Sequence, residues 1–278
     1  MKLIFIFAII TKFVNLNASA NTKMREALLK QTQLLPPITL EEMSGIKLMN
    51  RTDTKFVATL EQLNKFLLAV QGQYYIQQIN DKRVASYHTT YFDTADFAMY
   101  VMHHNGKARR EKIRMRTYLD SNDTFLEVKN KNNHGRTKKK RIEVAEPHTL
   151  EKEAEQAVPF LAKCAWYTID ELTPVIENFF SRITLVNFGK TERLTIDFDL
   201  RFHNLVTDER DKFNNVVIIE LKRDGNVPSP ALDIIRALRI RRSGFSKYCI
   251  GSALTNKSLR RNNFKERLRF IEKLENNK

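Results

Sequence analysis

Charged and apolar residues alternate along five short segments, and this pattern restricts the fold more than any other feature of the sequence. In the first segment, Arg114 and Arg116 alternate with Ile113 and Met115. Successive side chains of a β-strand point to opposite faces of its sheet, so each segment predicts a strand with one charged face. The other four segments are Leu126–Lys129, Arg141–Val144, Arg193–Phe198 and Ile219–Lys222.

A charged strand face has an ordinary explanation, because antiparallel sheets often expose one face to water. Here, however, the polar positions are nearly all fully charged, with few Thr, Ser or Gln residues, and cations outnumber carboxylates. If the sheet closes into a barrel, these side chains turn inward, and helices cover the apolar outer face. Such an interior suits a phosphate chain held by Arg and Lys, with carboxylates that bind Mg²⁺ or Mn²⁺.

The overall charge leaves several partners open. The 278 residues include 47 Lys and Arg against 32 Asp and Glu, a formal net charge of +15. This balance is compatible with a nucleic acid, an anionic membrane or a small acidic ligand. We expect no nucleic acid, because the cations are interleaved with carboxylates and no aromatic residues alternate with them as stacking surfaces. Cys164 and Cys249 are too few and too far apart for a disulfide framework or a Cys-based zinc site.

The local patterns predict one α+β domain dominated by antiparallel strands. Thr59–Gln62 and Ser229–Pro230 are typical of helix N-termini. Helices are also expected over Thr149–Ala165, over Asp170–Ser181 and in the tail from Ser258.

We expect three parts along the chain. Residues 1–44 are predicted to be an N-terminal extension, residues 45–255 the main domain, and residues 256–278 a basic C-terminal helix. The basic tail is compatible with a solvated helix or with contact to a membrane surface or a partner.

The N-terminus has two interpretations. Leu3–Ile10 is an apolar run and Ala18–Ala20 is similar to a signal-peptide cleavage site, but Lys12 interrupts the segment. The alternative is a start assigned too far upstream, with Met24 as the true one. No other run approaches the ~20 apolar residues that a membrane span needs.

Six short motifs then occur in an order that identifies a family. They are Asp53–Phe56, Tyr91–Thr94, Lys112–Arg116, Phe125–Lys129, Ile219–Lys222 and Phe245–Tyr248. Together they resemble the VTC domain, the polyphosphate polymerase domain of vacuolar transporter chaperones and its bacterial relatives. This domain belongs with the CYTH proteins in the triphosphate tunnel metalloenzymes. The resemblance covers about residues 45–255 and implies an antiparallel eight-stranded β-barrel, the triphosphate tunnel, with flanking helices.

The resemblance also implies an activity and the residues that carry it. The activity is the metal-dependent transfer of the ATP γ-phosphate to a growing polyphosphate chain, with Mn²⁺ or Mg²⁺ as cofactor. Seven cations are expected in the transfer itself: Lys55, Arg114, Arg116, Lys129, Arg182, Arg193 and Lys247. Further phosphate contacts are expected from Lys140 or Arg141, Lys222 and Ser246. Glu220 is the expected metal ligand and Glu127 a second acidic position.

One departure from the family keeps other functions open. Phe180 stands where the family leads us to expect a tyrosine, two residues before Arg182. If Phe180 marks a lost site, polyphosphate or nucleotide binding without catalysis is favoured. Hydrolysis of triphosphate or of a nucleoside triphosphate in the same tunnel is a separate alternative. His103 and His104 are expected at the surface or in packing roles.

The resemblance and the composition also lead to expectations about the surroundings of the chain. We expect a cytoplasmic protein that acts on ATP and polyphosphate, and association with a membrane-protein partner stays open. The oligomeric state also stays open. Because clustered cations repel one another, we expect replacement of both Arg114 and Arg116 by Ala not to lower stability.

Overall fold

The computed structural model describes residues 22–44, 46, 51–133, 136–145, 150–225 and 227–276. The signal-like segment discussed above, residues 3–20, lies outside these ranges. None of the helices in the described ranges is long and apolar enough to cross a membrane.

Eight long antiparallel strands form the body of the domain, hydrogen-bonded in the order β2-β11-β9-β8-β4-β5-β6-β7. Their bounds are β2 Arg51–Thr59, β4 Ala85–Asp93, β5 Arg110–Tyr118, β6 Asp123–Lys131, β7 Thr137–Val144, β8 Thr173–Asn187, β9 Glu192–Asn204 and β11 Val216–Asp224. Four short strands extend this sheet: β1 Pro37–Ile38, β3 Tyr74–Gln77, β10 Arg210–Lys212 and β12 Arg241–Arg242.

The predicted α+β class and the antiparallel sheet are confirmed, but hydrogen bonds do not close the barrel. Within the described residues, no pairing joins β7 to β2 or to β12, so the sheet has two free edges. At the β2 edge, β12 pairs with Val57 and Phe56, in the place that a closing strand would take. The tunnel is therefore formed by a curved, open sheet.

Helices cover the apolar outer face of this sheet, as expected. Their bounds are α1 at residues 22–33, α2 Leu40–Ser44, α3 Leu60–Ala69, α4 Ala98–His104, α5 Ala154–Cys164, α6 Pro230–Ala237, α7 Lys247–Thr255 and α8 Lys265–Asn276. Leu63 and Phe66 of α3 and Ile235 of α6 join the buried cluster that contains Ile196 and Ile219 of the sheet. Leu28 of α1 belongs to the same cluster, and α5 covers the face of β5 and β6.

Two helices begin where the sequence predicts. The Thr59 side chain accepts a hydrogen bond from the Gln62 backbone, and the Gln62 side chain accepts one from the Thr59 backbone. Ser229 accepts a bond from the Leu232 backbone at the start of α6, with Pro230 in the first turn. Each cap satisfies backbone N–H groups that a helix leaves without partners, which stabilises it by about 1 kcal/mol.

The helix predicted over Asp170–Ser181 is wrong. A single 3₁₀ turn, Ile169–Glu171, precedes β8, which begins at Thr173 and runs to Asn187. β8 lies in the interior of the sheet, paired with β4 on one side and β9 on the other. The ladder hydrogen bonds on both sides override the local pattern, because strand formation depends strongly on neighbours.

At one end of the sheet, α7 packs against the inner side of β8 and β9. The register between these strands shifts between Phe179 and Ser181, and Asp199 has a left-handed backbone. Beyond this irregularity, Leu200 and Phe202 belong to the buried cluster of α7 and replace the charged residues of the inner face. This apolar cluster fills that part of the interior.

Gly251 of α7 has no room for a side chain. An added Cβ would lie 2.9 Å from both Ile176 Cδ1 and Phe202 Cε1. We predict that Gly251→Ala lowers the free energy of unfolding by roughly 1–3 kcal/mol, because close-packed cores resist added volume. Urea unfolding measures this change. Gly189→Ala is the control, since its nearest neighbour would be at 3.6 Å, and equal losses in the two variants would contradict the packing argument.

Candidate functional site

A cavity of about 2200 Å³ lies on the inner side of the sheet, and all eight long strands contribute to its lining. A single sheet can line one cavity with all of its long strands only if the sheet curves around that cavity. Every second residue of β5 faces the cavity: Arg110, Lys112, Arg114, Arg116 and Tyr118. The intervening Ile113 and Met115 pack in the outer cluster, which confirms the two faces predicted for this strand.

The cavity is strongly positive. Thirteen Lys and Arg side chains line it, against two carboxylates, Asp53 and Glu220. Two further carboxylates, Glu127 and Asp197, are buried in ion pairs with residues at the cavity wall. A cavity of this charge is suited to a polyanionic ligand.

Glu127 is fully buried and holds Arg114 in place. Its Oε2 accepts a hydrogen bond from Arg114 Nε at 2.7 Å and lies 2.6 Å from Arg114 Nη2 in an ion pair, and its Oε1 forms an ion pair with Lys139. Burial raises the pKa of Glu127, but Arg114, Arg116 and Lys139 together lower it well below its usual range. Glu127 is therefore ionised and positions the Arg114 guanidinium.

Arg116, two residues further along β5, lacks such a partner. No carboxylate in the described residues lies within ion-pair distance of it; its Nε donates to Thr89 Oγ1 at 3.3 Å, and its guanidinium lies 5.5 Å from the Tyr87 ring. Burial, together with Arg114 and Arg182, lowers the pKa of Arg116 to about 10. A buried cation without a counter-charge is stabilised by an anionic ligand.

On the opposite wall, Glu220 lies between two lysines. Lys55 Nζ is 2.9 Å from Glu220 Oε1, and Lys222 Nζ is 3.8 Å from the same oxygen. Burial raises the pKa of Glu220, but Lys222 and Lys55 outweigh it and bring the value to about 2. Burial also lowers the pKa of Lys222 to about 8.

A third ion-pair group lies where the cavity meets α7. Arg182 Nη2 donates to Asp197 Oδ2 at 2.8 Å, and Lys247 forms an ion pair with the same carboxylate. Phe180 lies beneath this group: Lys247 Nζ is 4.2 Å from its ring centre, and its ring stacks on Tyr87 at 5.0 Å. The aromatic face of Phe180 therefore contacts cations where a tyrosine was expected.

Comparison with known proteins decides the family. The model of the VTC domain family matches residues 50–256, most of this chain. The chain belongs to the VTC domain family. This confirms the resemblance seen in the sequence, and the sheet described above is the triphosphate tunnel of that group. None of the curated proteins matches.

Solved structures with a similar fold are distant in sequence. A Hippeastrum protein described as having a dominant triphosphatase activity is 15% identical, with a TM-score of 0.49, over 74% of this chain and 97% of that one. A conserved hypothetical protein from Pyrococcus furiosus is 13% identical, with a TM-score of 0.40, over 72% and 99%. The PH1012 protein from Pyrococcus horikoshii is 10% identical, with a TM-score of 0.40, over 72% and 98%.

The VTC domain brings most of the predicted site residues together. Nine line the cavity: Lys55, Arg114, Arg116, Lys129, Arg182, Arg193, Glu220, Lys222 and Ser246. Lys247 and Glu127 reach it through the ion pairs described above. Lys140 and Arg141 are not in the lining: Lys140 is exposed on the opposite face of β7 from Lys139, and Arg141 lies over the Phe125 ring at 4.4 Å. The phosphate-binding roles of these residues stay predictions.

Sequence reasoning missed several lining residues of the VTC domain. Lys112 and Lys139 continue the alternation of β5 and β7, which is the signal that would have found them. Lys112 Nζ donates to Ser246 Oγ at 2.9 Å, and burial lowers the pKa of this lysine to about 8. His103, expected in a packing or surface role, lines the cavity.

The carboxylates differ in how well they suit a metal ion. Within the described residues, no group of three or more His, Cys, Asp or Glu side chains has the arrangement of a metal site. Mg²⁺, however, is often held by one or two carboxylates together with substrate phosphates. Glu220 lines the cavity and fits that arrangement, whereas Arg114 and Lys139 already engage both oxygens of Glu127.

The two arginines of β5 are expected to differ in their effect on stability. Arg114→Ala removes the main partner of the buried Glu127, so we predict a loss of about 3 kcal/mol in the free energy of unfolding. Arg116→Ala removes a cation without a carboxylate partner, and stability should change by less than about 1 kcal/mol or rise. Because of the ion pair with Glu127, we now expect the replacement of Arg114 to lower stability, in contrast to the expectation from the sequence. Equal losses in urea unfolding would show that this distinction is incorrect.

The Glu220 carboxyl group predicts a pH dependence of stability. Its pKa falls from 4.5 to about 2 on folding, so its stabilising contribution is complete above about pH 4.5 and is lost as the pH falls towards 2. The difference in unfolding free energy between the unsubstituted chain and Glu220→Gln should therefore shrink over this range. The exposed Glu209→Gln serves as control, and a difference that stays constant from about pH 6 to about pH 2 would contradict the assignment.

Proposed function

We propose that this VTC domain is a metal-dependent polyphosphate polymerase that transfers the γ-phosphate of ATP to a growing polyphosphate chain. The observation that carries the proposal is the cavity lining of thirteen cations and two carboxylates, with Arg116 buried and free of a carboxylate partner among the described residues. The lining of β5 alone extends from Arg110 to Tyr118, roughly 27 Å at the rise of a strand. A linear chain of phosphates has the charge and shape that this surface requires.

Phosphoryl transfer depends mainly on positioning and on neutralising spread negative charge. Arg114 is oriented by Glu127 and Arg116 is available for a ligand, so the two guanidinium groups of β5 present donors to phosphate oxygens along one line. Lys55 and Lys222 approach from the opposite wall. Glu220 would hold Mn²⁺ or Mg²⁺ together with substrate phosphates, and the ion would supply further charge neutralisation at those phosphates.

The lining favours transfer to polyphosphate over hydrolysis. Water must lose a proton to attack, and a catalytic carboxylate serves best as the base when its pKa lies near the working pH. Glu220 has a pKa of about 2 and contacts Lys55 and Lys222, so it is a weak base. Asp53, the other lining carboxylate, also has an interaction partner. The end of a polyphosphate chain is already an anionic nucleophile and needs no such base.

Turnover of ATP by the purified protein tests the proposal. With ATP and Mn²⁺, we predict long-chain polyphosphate and one ADP for each phosphate unit added to the chain. Gel electrophoresis detects the polymer, and nucleotide analysis measures the ADP. Glu220→Gln should abolish the metal-dependent reaction, and Arg116→Ala should lower kcat/KM by about a hundredfold, the effect of losing one charge-stabilising group. Glu209→Gln, outside the cavity lining, is the control and should keep full activity.

The products distinguish the alternatives. Free phosphate without polymer would identify a triphosphate hydrolase, and tight polyphosphate binding without turnover would identify a binding module. Full activity of Glu220→Gln would overturn the metal assignment, provided that urea unfolding shows the variant to be folded.

A further inference from the structure

Three of the six sequence motifs meet at the first turn of α7. Ser246, Lys247 and Tyr248 are consecutive there, and each side chain contacts a different strand of the sheet. Ser246 Oγ accepts a hydrogen bond from Lys112 of β5 at 2.9 Å. Lys247 forms an ion pair with Asp197 of β9. The activity proposed above uses the first two residues of this run and leaves the third, Tyr248, without a role.

Tyr248 connects α7 to the end of β4. Its hydroxyl group donates a hydrogen bond to Asp93 Oδ2, and both residues are buried. The Tyr248 ring also stacks on Tyr91, with 5.3 Å between the ring centres. Asp93 and Tyr248 both lie behind the lining of the cavity, so their contact acts on the position of α7 rather than on a ligand.

Asp93 is itself held in place by backbone donors. In addition to the Tyr248 hydroxyl, it accepts hydrogen bonds from the backbone N–H groups of Thr94, Met99 and Tyr100, at 2.8, 2.9 and 2.9 Å. Burial raises the pKa of Asp93, and these hydrogen bonds oppose the rise because they favour the ionised carboxylate. Met99 and Tyr100 belong to α4, so this one carboxylate joins β4, α4 and α7.

Lys247 needs a fixed backbone in order to act on a phosphate. Its ammonium group is attracted to Asp197, and an anionic ligand in the cavity would attract it in a second direction. Because a lysine side chain is flexible, the ion pair alone does not fix the backbone from which Lys247 extends. The bond between Tyr248 and Asp93 fixes that backbone one residue further along the helix. A shift of about 1 Å in a group that contacts the reacting atoms can lower a rate about a hundredfold.

We propose that Asp93 is a positioning residue that, through Tyr248, fixes the first turn of α7 and directs Lys247 towards the phosphates of the ligand. The inference rests on the proposed function, because it assumes that Lys247 acts on bound phosphates. It also gives the Tyr91–Thr94 motif a part in the site, although Asp93 lies behind the cavity lining.

The test removes a single hydroxyl group. Tyr248→Phe breaks the hydrogen bond to Asp93 and leaves the backbone hydrogen bonds of Asp93 in place. The control is Tyr74→Phe, because Tyr74 is also buried and donates to a buried carboxylate, Glu192, but belongs to the cluster that α3 and α6 cover. Tyr74→Phe should lose at least as much stability in urea unfolding, since the backbone N–H of Ala231 also loses its acceptor.

Affinity for tripolyphosphate, measured by titration calorimetry on folded protein, separates positioning from stability. We predict that Tyr248→Phe binds tripolyphosphate about fivefold more weakly, and that Tyr74→Phe changes the affinity by less than about twofold. In a Lys247→Gln background, Tyr248→Phe should have an effect of less than about twofold, because the side chain that it positions is already absent. In a Lys55→Gln background, on the opposite wall, it should keep its full effect.

Three outcomes overturn the inference. An unchanged affinity in Tyr248→Phe would show that the bond to Asp93 does not affect the site. Equal weakening in Tyr74→Phe would reduce the effect to stability, and a full effect in the Lys247→Gln background would mean that Tyr248 does not act through Lys247. The result is separate from the polymerase proposal, because binding needs no turnover: a protein that makes no polymer but shows this coupling keeps the positioning role, and polymer formation without the coupling keeps only the polymerase.

Discussion

Repulsion among the cations of the inner face is the constraint on which the rest of this structure depends. Each buried charge costs several kcal/mol unless it is paired. Glu127, Asp197 and Glu220 offset that cost, and each contacts two cations: Arg114 and Lys139, Arg182 and Lys247, Lys55 and Lys222. The carboxylates are fewer than the cations, so the cavity keeps a positive potential. The same residues therefore make the fold possible and leave it able to bind a polyanion.

The apolar outer face supplies the free energy that this interior lacks. Burying a side chain such as Ile196 or Ile219 stabilises a fold by about 1.5–3 kcal/mol, and both lie in one cluster with α3 and α6. The strand alternation links the two faces, because any slip of one residue in register would exchange them. A shift of β5 would place Ile113 in the cavity and Arg114 under a helix. The chemistry of the cavity and the packing of the core thus fix the same register.

The alternation predicted the sheet and most of the site because it is a property of short segments read directly from the chain. Arg114, Arg116, Glu220 and Lys222 share the cavity for that reason. What depends on neighbouring strands was not predictable. The segment Asp170–Ser181 has a helical composition but lies between β4 and β9, where ladder bonds decide its structure. Lys139 and Lys140 are adjacent in the sequence; the alternation of β7 places Lys139 on the charged face, but its contact with Glu127 depends on the pairing of β7 with β6.

Phe180 shows how a departure from a family pattern is accommodated. Without a hydroxyl it cannot donate a hydrogen bond, but its ring lies under Lys247 and near Arg116 and Arg182. The ring face attracts these cations, and the ring replaces water around them, which strengthens their interaction with any anion. A tyrosine ring would contact the same three cations and give a phosphate one extra donor. The loss of the hydroxyl therefore changes one contact and leaves the cation arrangement intact, which is why we favour catalysis over a degenerate binding role.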